Sequence, residues 1–98
     1  MRLPKSPTVL RLMRQARLRR LRNMGFVLGG SLVRFPGHTS LYLTDKGGGK
    51  TRTLYIPLSR LEEVKKWNAN YKLAKRLVAE LSEIQRKLLI AEIAARSR

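Results

Sequence analysis

Residues 41–57 read Leu41-Tyr42-Leu43-Thr44-Asp45-Lys46-Gly47-Gly48-Gly49-Lys50-Thr51-Arg52-Thr53-Leu54-Tyr55-Ile56-Pro57. Residues alternate on both sides of the glycine run with the two-residue period of a strand, so residues 41–44 and 52–56 are expected to pair as a hairpin. Leu41 and Leu43 then face one side, where Leu54 and Ile56 meet them. Between the strands, residues 45–50 read as a flexible loop whose glycines suit positive φ and whose Lys46 and Lys50 suit phosphate. Upstream, residues 31–35 read as a further short strand ended by Pro36-Gly37. The result is a small three-stranded antiparallel meander closed by Pro57.

Helical signals flank the meander on both sides. Ser6-Pro7 is a start signal, because Ser accepts from the free N–H groups of a first turn and Pro has no N–H to leave unpaired. A basic first helix is expected over residues 7–22, with Val9, Leu10, Leu12, Met13 and Ala16 on one side. Arg17 and Arg20 fall on the same arc and break the apolar stripe. After Pro57, Ser59-Arg60-Leu61-Glu62 fits a capping box, and nothing interrupts a helix from Arg60 to about Ala95. Ala74, Leu77, Leu81, Ile84, Leu88, Ala91 and Ala95 recur at alternating steps of three and four, a coiled-coil-like seam. Leu61, Val64, Trp67 and Tyr71 are expected to cover the sheet. About thirty-six helical residues span about 54 Å, more than three strands can cover, so the overhang requires a second helix. The N-terminal helix folding back and the same helix of a second subunit both fit, and the expectation leans to a homodimer or a protein partner meeting Leu77, Leu81, Ile84 and Leu88. The fold class is therefore α+β, one domain overall with segments 1–24, 25–57 and 58–98.

Charge bounds the function. The chain has 98 residues, 22 Lys or Arg against 6 Asp or Glu, and a formal net charge of +16. Its first thirty-four residues hold nine basic residues and no acid. Such a segment folds compactly only against a polyanion or a distant acidic surface, and nucleic acid phosphate is the expected partner. Residues 1–56 carry +11 and residues 57–98 carry +5. The binding face is thus expected in the N-terminal half, with the acids of the long helix paired to neighbouring lysines.

Other classes are disfavoured. There is no cysteine and one histidine, so neither a disulfide framework nor a thiolate zinc site is available, and no metal or cofactor is expected. No run of eighteen apolar residues exists, and Trp67 is remote from the arginines, which argues against a membrane span or surface anchor. The expected location is cytoplasmic, on nucleoid or ribonucleoprotein. Gly49-Lys50-Thr51 lacks the first glycine of a phosphate-binding P-loop and leads into a strand instead of a helix. Asp45 stands apart from the glutamates, so metal-dependent phosphoryl chemistry has no converging carboxylates. Neither Tyr42 nor Tyr55 has an adjacent base to activate it, and packing or stacking on bases is the expected role. No enzymatic activity is expected.

Gly30-Ser31-Leu32-Val33-Arg34, the stretch from Gly48 to Pro57, Val64-Lys65-Lys66-Trp67 and Asn70-Tyr71 together resemble a family of short bacterial and archaeal proteins. That family has no assigned biochemical function, and its genes often lie near transposase genes. The resemblance covers roughly Gly30 to Leu89. Typical members carry a cysteine pair with Gly-Lys-Pro between the first strand and the hairpin, where this chain has Phe35-Pro36-Gly37-His38-Thr39. A metal role therefore does not carry over, and His38 reads as a loop residue. The resemblance implies Lys50 and Arg52 as phosphate contacts and an association with mobile DNA.

These readings converge on a non-catalytic nucleic-acid-binding accessory protein, a subunit of a nucleoprotein complex linked to mobile DNA. Arg11, Arg14, Arg17, Arg19, Arg20 and Arg22 of the first helix, with Arg34, Lys46, Lys50 and Arg52, are the candidate contacts to DNA or RNA. The alternative is a ribosomal or ribosome-associated structural protein whose basic tail threads RNA.

Overall fold

In the computed structural model, which describes residues 1–96, the elements follow in the order α1 (Pro7–Arg22), β1 (Ser31–Val33), β2 (Leu41–Gly47), β3 (Lys50–Ile56) and α2 (Leu61–Arg96). The class is α+β, with one three-stranded antiparallel sheet in the order β1-β2-β3. Two compact units form, one from Met1–Met24 with the chain from Ala74 onward, the other from Gly25–Leu73. The expected 58–98 segment is thus shared between units within one helix, and its residues 97 and 98 lie outside the described residues.

In the sheet unit, β2 and β3 pair in the expected register, Leu41 opposite Ile56 and Leu43 opposite Leu54. The hairpin is longer than the alternation alone indicated. Its ladder continues through Asp45 with Arg52 and Lys46 with Thr51 to Gly47 with Lys50, so the expected six-residue loop shrinks to Gly48-Gly49. Both glycines have positive φ, 61° and 80°, as a two-residue turn matched to the right-handed strand twist requires. β1 is shorter than expected, and Arg34 and Phe35 lie beyond it.

One face of this sheet forms an apolar cluster with the start of α2. Leu43, Ile56 and Val64 are buried, and Leu28, Leu32, Leu61 and Trp67 pack around them. Asn68 is the buried polar residue of the unit: its Nδ2 donates to the carbonyls of Leu28 at 3.0 Å and Gly30 at 2.8 Å. The Leu28 N–H donates to the Trp67 carbonyl at 3.0 Å, and Asn70 Nδ2 donates to the Phe26 carbonyl at 3.0 Å. Residues 26–30 are thereby strapped along α2, which satisfies backbone groups that no ladder reaches.

The entry to α2 differs from the expected capping box. A 3-10 turn over Leu58–Arg60 precedes the helix, with the Arg60 N–H bonded to the Pro57 carbonyl at 2.9 Å and the Leu61 N–H to the Leu58 carbonyl. Ser59 sits inside that turn instead of at the N-cap, because tight i to i+3 bonds have already taken the donors it would have satisfied.

In the helical unit, α1 begins as expected, with the Val9 N–H donating to Ser6 Oγ at 3.4 Å. α1 covers the seam of α2. Leu10, Ile84 and Leu88 form a fully buried cluster with Leu3 and Met13 against it, and Leu77 is fully buried as well. Ile84 and Leu88 of the seam expected to meet a partner chain are therefore covered from within this chain, and Leu77, Ile84 and Leu88 are fully buried in the single chain. Leu81 is half-buried. The two helices belong to one chain, so closing this contact costs only loop entropy, which grows slowly with loop length.

Candidate nucleic-acid interface

The inward stripe of α1 is Leu10, Met13, Arg14, Arg17 and Leu21, which are buried or half-buried, whereas Val9, Leu12 and Ala16 of the expected stripe are exposed. Two arginines thus sit on the packed side. Arg17 Nε donates to Glu80 Oε1 at 3.0 Å, its Nη1 donates to the Met13 carbonyl at 3.3 Å, and Arg14 Nη1 donates to Gln85 Oε1 at 2.7 Å. The apparent break in the apolar stripe is where α1 meets polar groups of α2. Glu80, expected to pair with a neighbouring lysine of its own helix, instead receives Arg17 of α1, and this corrects both readings.

Arg11, Arg19, Arg20 and Arg22 are exposed, and none has an acidic partner among the described residues. At about 100° per residue, Arg11 and Arg22 come back to within about 20° of each other on the outer side of α1, with Arg19 about 60° beyond, while Arg20 lies about 180° from Arg11 on the opposite flank. The helical unit, Met1–Met24 plus the chain from Ala74 onward, has 14 Lys or Arg against 3 Glu, net +11, while Gly25–Leu73 has 8 against 3, net +5. Charge therefore concentrates as strongly in a unit built from residues near both ends of the chain as in the N-terminal half.

In the sheet unit the hairpin candidates separate. Arg52 makes a two-pronged pair with Asp45, Nε to Oδ1 and Nη2 to Oδ2, each at 2.7 Å. That hydrogen-bonded guanidinium holds the Asp45 carboxyl below the usual aspartate range and raises Arg52 in turn. Arg52 also lies across Gly47, where an added Cβ would come within 2.5 Å of its guanidinium. Its charge is thus locally compensated, whereas Arg34, Lys46 and Lys50 are exposed and have no acidic partner among the described residues.

Tyr42 and Tyr55 pair across the strands, with ring centroids 5.8 Å apart. Phe35 and His38 add rings 5.3 Å and 6.1 Å from Tyr42. His38 is thus an aromatic neighbour, and no group of three His, Asp or Glu able to hold a metal occurs among the described residues. No helix among the described residues is long and apolar enough to cross a membrane.

Arg34, Lys46, Lys50 and the four outer arginines of α1 stand open to solvent, while Arg14, Arg17 and Arg52 are engaged within their own units. Sequence reasoning missed Asn68 altogether. Its signal was a polar residue in line with Leu61, Val64 and Tyr71 at steps of three and four. Comparison with family models, curated proteins and solved structures gives no match to this chain.

Proposed function

We propose that this protein is a non-catalytic nucleic-acid-binding accessory subunit that grips phosphate backbone through the outer face of α1. The observation that carries this reading is the set Arg11, Arg19, Arg20 and Arg22, exposed and without acidic partners among the described residues, on a helix whose other side is anchored by the buried Leu10. Arginine forks take phosphate oxygens in pairs, and a helix presents them with its backbone already ordered. Such contacts set position and affinity more than sequence preference. The link to mobile DNA rests on the family resemblance and is part of the proposal. A ribosome-associated tail threading RNA fits less well, because α1 is packed on α2 instead of extended.

The test is fluorescence anisotropy of a labelled duplex against the purified protein over a salt series. Each phosphate neutralised contributes about 0.9 to the slope of log K against log salt on duplex DNA, so replacing Arg19, Arg20 and Arg22 with Gln should flatten the slope by about 2.7. An unchanged slope would remove α1 from the interface.

A further inference from the structure

The outer face of the sheet is a second feature that asks for a ligand. Side chains alternate along β2 and β3, so Leu43 and Ile56 point into the apolar cluster while Tyr42, Thr44 and Lys46 of β2 and Thr51, Thr53 and Tyr55 of β3 point away from it. Tyr42 and Tyr55 are neighbours on that away-facing side, and Phe35 and His38 from the β1–β2 connection stand beside Tyr42. Tyr55 is 53% exposed and Phe35 is 39% exposed, so the rings cover one another only in part. Phe35, His38 and Tyr55 are exposed and Tyr42 is half-buried, so three of the 6 Phe, Trp and Tyr of this 98-residue chain gather on one partly open face.

The electrostatics of this face select the occupant. Asp45, the sole acid between residues 31 and 56, belongs to the opposite face of β2 and is held there by Arg52. Lys46 projects from the aromatic side, four positions along β2 from Tyr42, or about 14 Å of extended strand. Beyond β1, Arg34 lines a pocket of about 260 Å³ with Tyr55 and Thr39 on one side and Leu41, Ile56 and Leu61 on the other, so it stands at the rim of the sheet between its two faces. That volume is below the roughly 300–1,000 Å³ of pockets that enclose drug-sized ligands. Flat π-faces with Lys46 on the same face, Arg34 at the rim and no acid beside them match a chain of planar bases joined by phosphates.

We infer that the outer face of β2 and β3 stacks the unpaired bases of a single-stranded nucleic acid on Tyr55, Tyr42 and Phe35, with Arg34 and Lys46 on the flanking phosphates. Stacking needs a base free of its partner strand, so this face takes single strands or loops and leaves duplex to the arginines of α1. The inference deepens the reading of the protein as nucleic-acid-binding and rests on it. The RNA and DNA versions share this chemistry.

The experiment compares four labelled probes of equal length with the full chain: oligo(dT), oligo(U), an abasic strand and a duplex. Variants Tyr55→Leu and Tyr55→Phe are measured in parallel. Base-bearing strands should bind more tightly than the abasic strand, and Tyr55→Leu should erase that advantage, a loss on the order of 5- to 100-fold, while duplex affinity stays unchanged. Tyr55→Phe keeps the π-face and should retain the advantage. Equal binding of base-bearing and abasic strands, with duplex binding intact, would overturn the stacking face and leave the backbone-binding reading standing. If duplex and abasic strand both fail to bind, that reading falls; shifts of the Tyr42 and Tyr55 ring resonances on adding oligo(dT) would then still support the face, and unmoved resonances would end it. A concentration-dependent rise in mass that Tyr55→Leu abolishes would assign the rings to self-association and overturn the inference.

Discussion

Arg17 and Glu80, sixty-three positions apart in sequence, meet at 3.0 Å with side chains only 21% and 26% exposed. This ion pair lets a helix with no acid of its own, carrying six arginines, lie along another helix. The distant acidic surface that such a helix requires is supplied by the same chain. Partial burial makes the pair more costly to break than a surface pair, yet it keeps enough solvent contact to escape the full desolvation penalty.

Arg17→Ala or Glu80→Ala should each destabilise the protein by about 1–2 kcal/mol, between the values for exposed and buried pairs. The double variant should lose less than the sum of the singles. Urea denaturation of the four proteins closes the cycle, and strict additivity would show that the pair contributes nothing.

Ile84→Ala removes buried methyls from the cluster with Leu10 and Leu88 and should cost about 2–5 kcal/mol. The mass in solution should not change, because this position faces α1 of the same chain. Light scattering together with denaturation checks both halves, and a dimer that dissociates in the variant would return the seam to an intermolecular role.

Asn68→Ala leaves the Leu28 and Gly30 carbonyls without their donor and should cost about 1–3 kcal/mol. For a chain of this size each kcal/mol lowers Tm by about 4–8 °C. Gly30, with φ of 110° and the Thr44 carbonyl 2.7 Å from an added Cβ, should be equally intolerant of alanine. Wild-type melting of Asn68→Ala would refute the strap.

The Asp45 carboxyl is held below its ordinary range by Arg52, so folding favours its ionised form. The folded state then binds fewer protons than the unfolded state as the group titrates, and the contribution is complete above the unfolded aspartate range of about 3.9. It is lost as pH falls through that range and below. Asp45→Asn should flatten the acid limb of a plot of Tm against pH. An acid limb identical in the two proteins would show the pair to be energetically silent.

Local signals carried far in this chain. Ser6-Pro7 marked the start of α1, the alternation around Leu43 and Leu54 set the hairpin register, and the uninterrupted run after Pro57 set α2, because capping, alternation and helix continuity depend on neighbours in sequence. The extent of the hairpin was less legible, since Asp45, Lys46 and Gly47 have poor strand propensity and are held in the ladder by pairing across to Arg52, Thr51 and Lys50.

Composition, net charge, the α+β class and the boundaries of the helices were decided by the amino-acid sequence on its own. Which arginines remain open was decided only by tertiary structure. Arg17 and Arg19 are the same residue type in the same helix, and only the arrival of Glu80 on one side of α1 separates a structural cation from one left to solvent. What covers the seam was likewise open until α1 packed on it, because a periodic apolar stripe specifies that a helix must be covered without specifying by which chain.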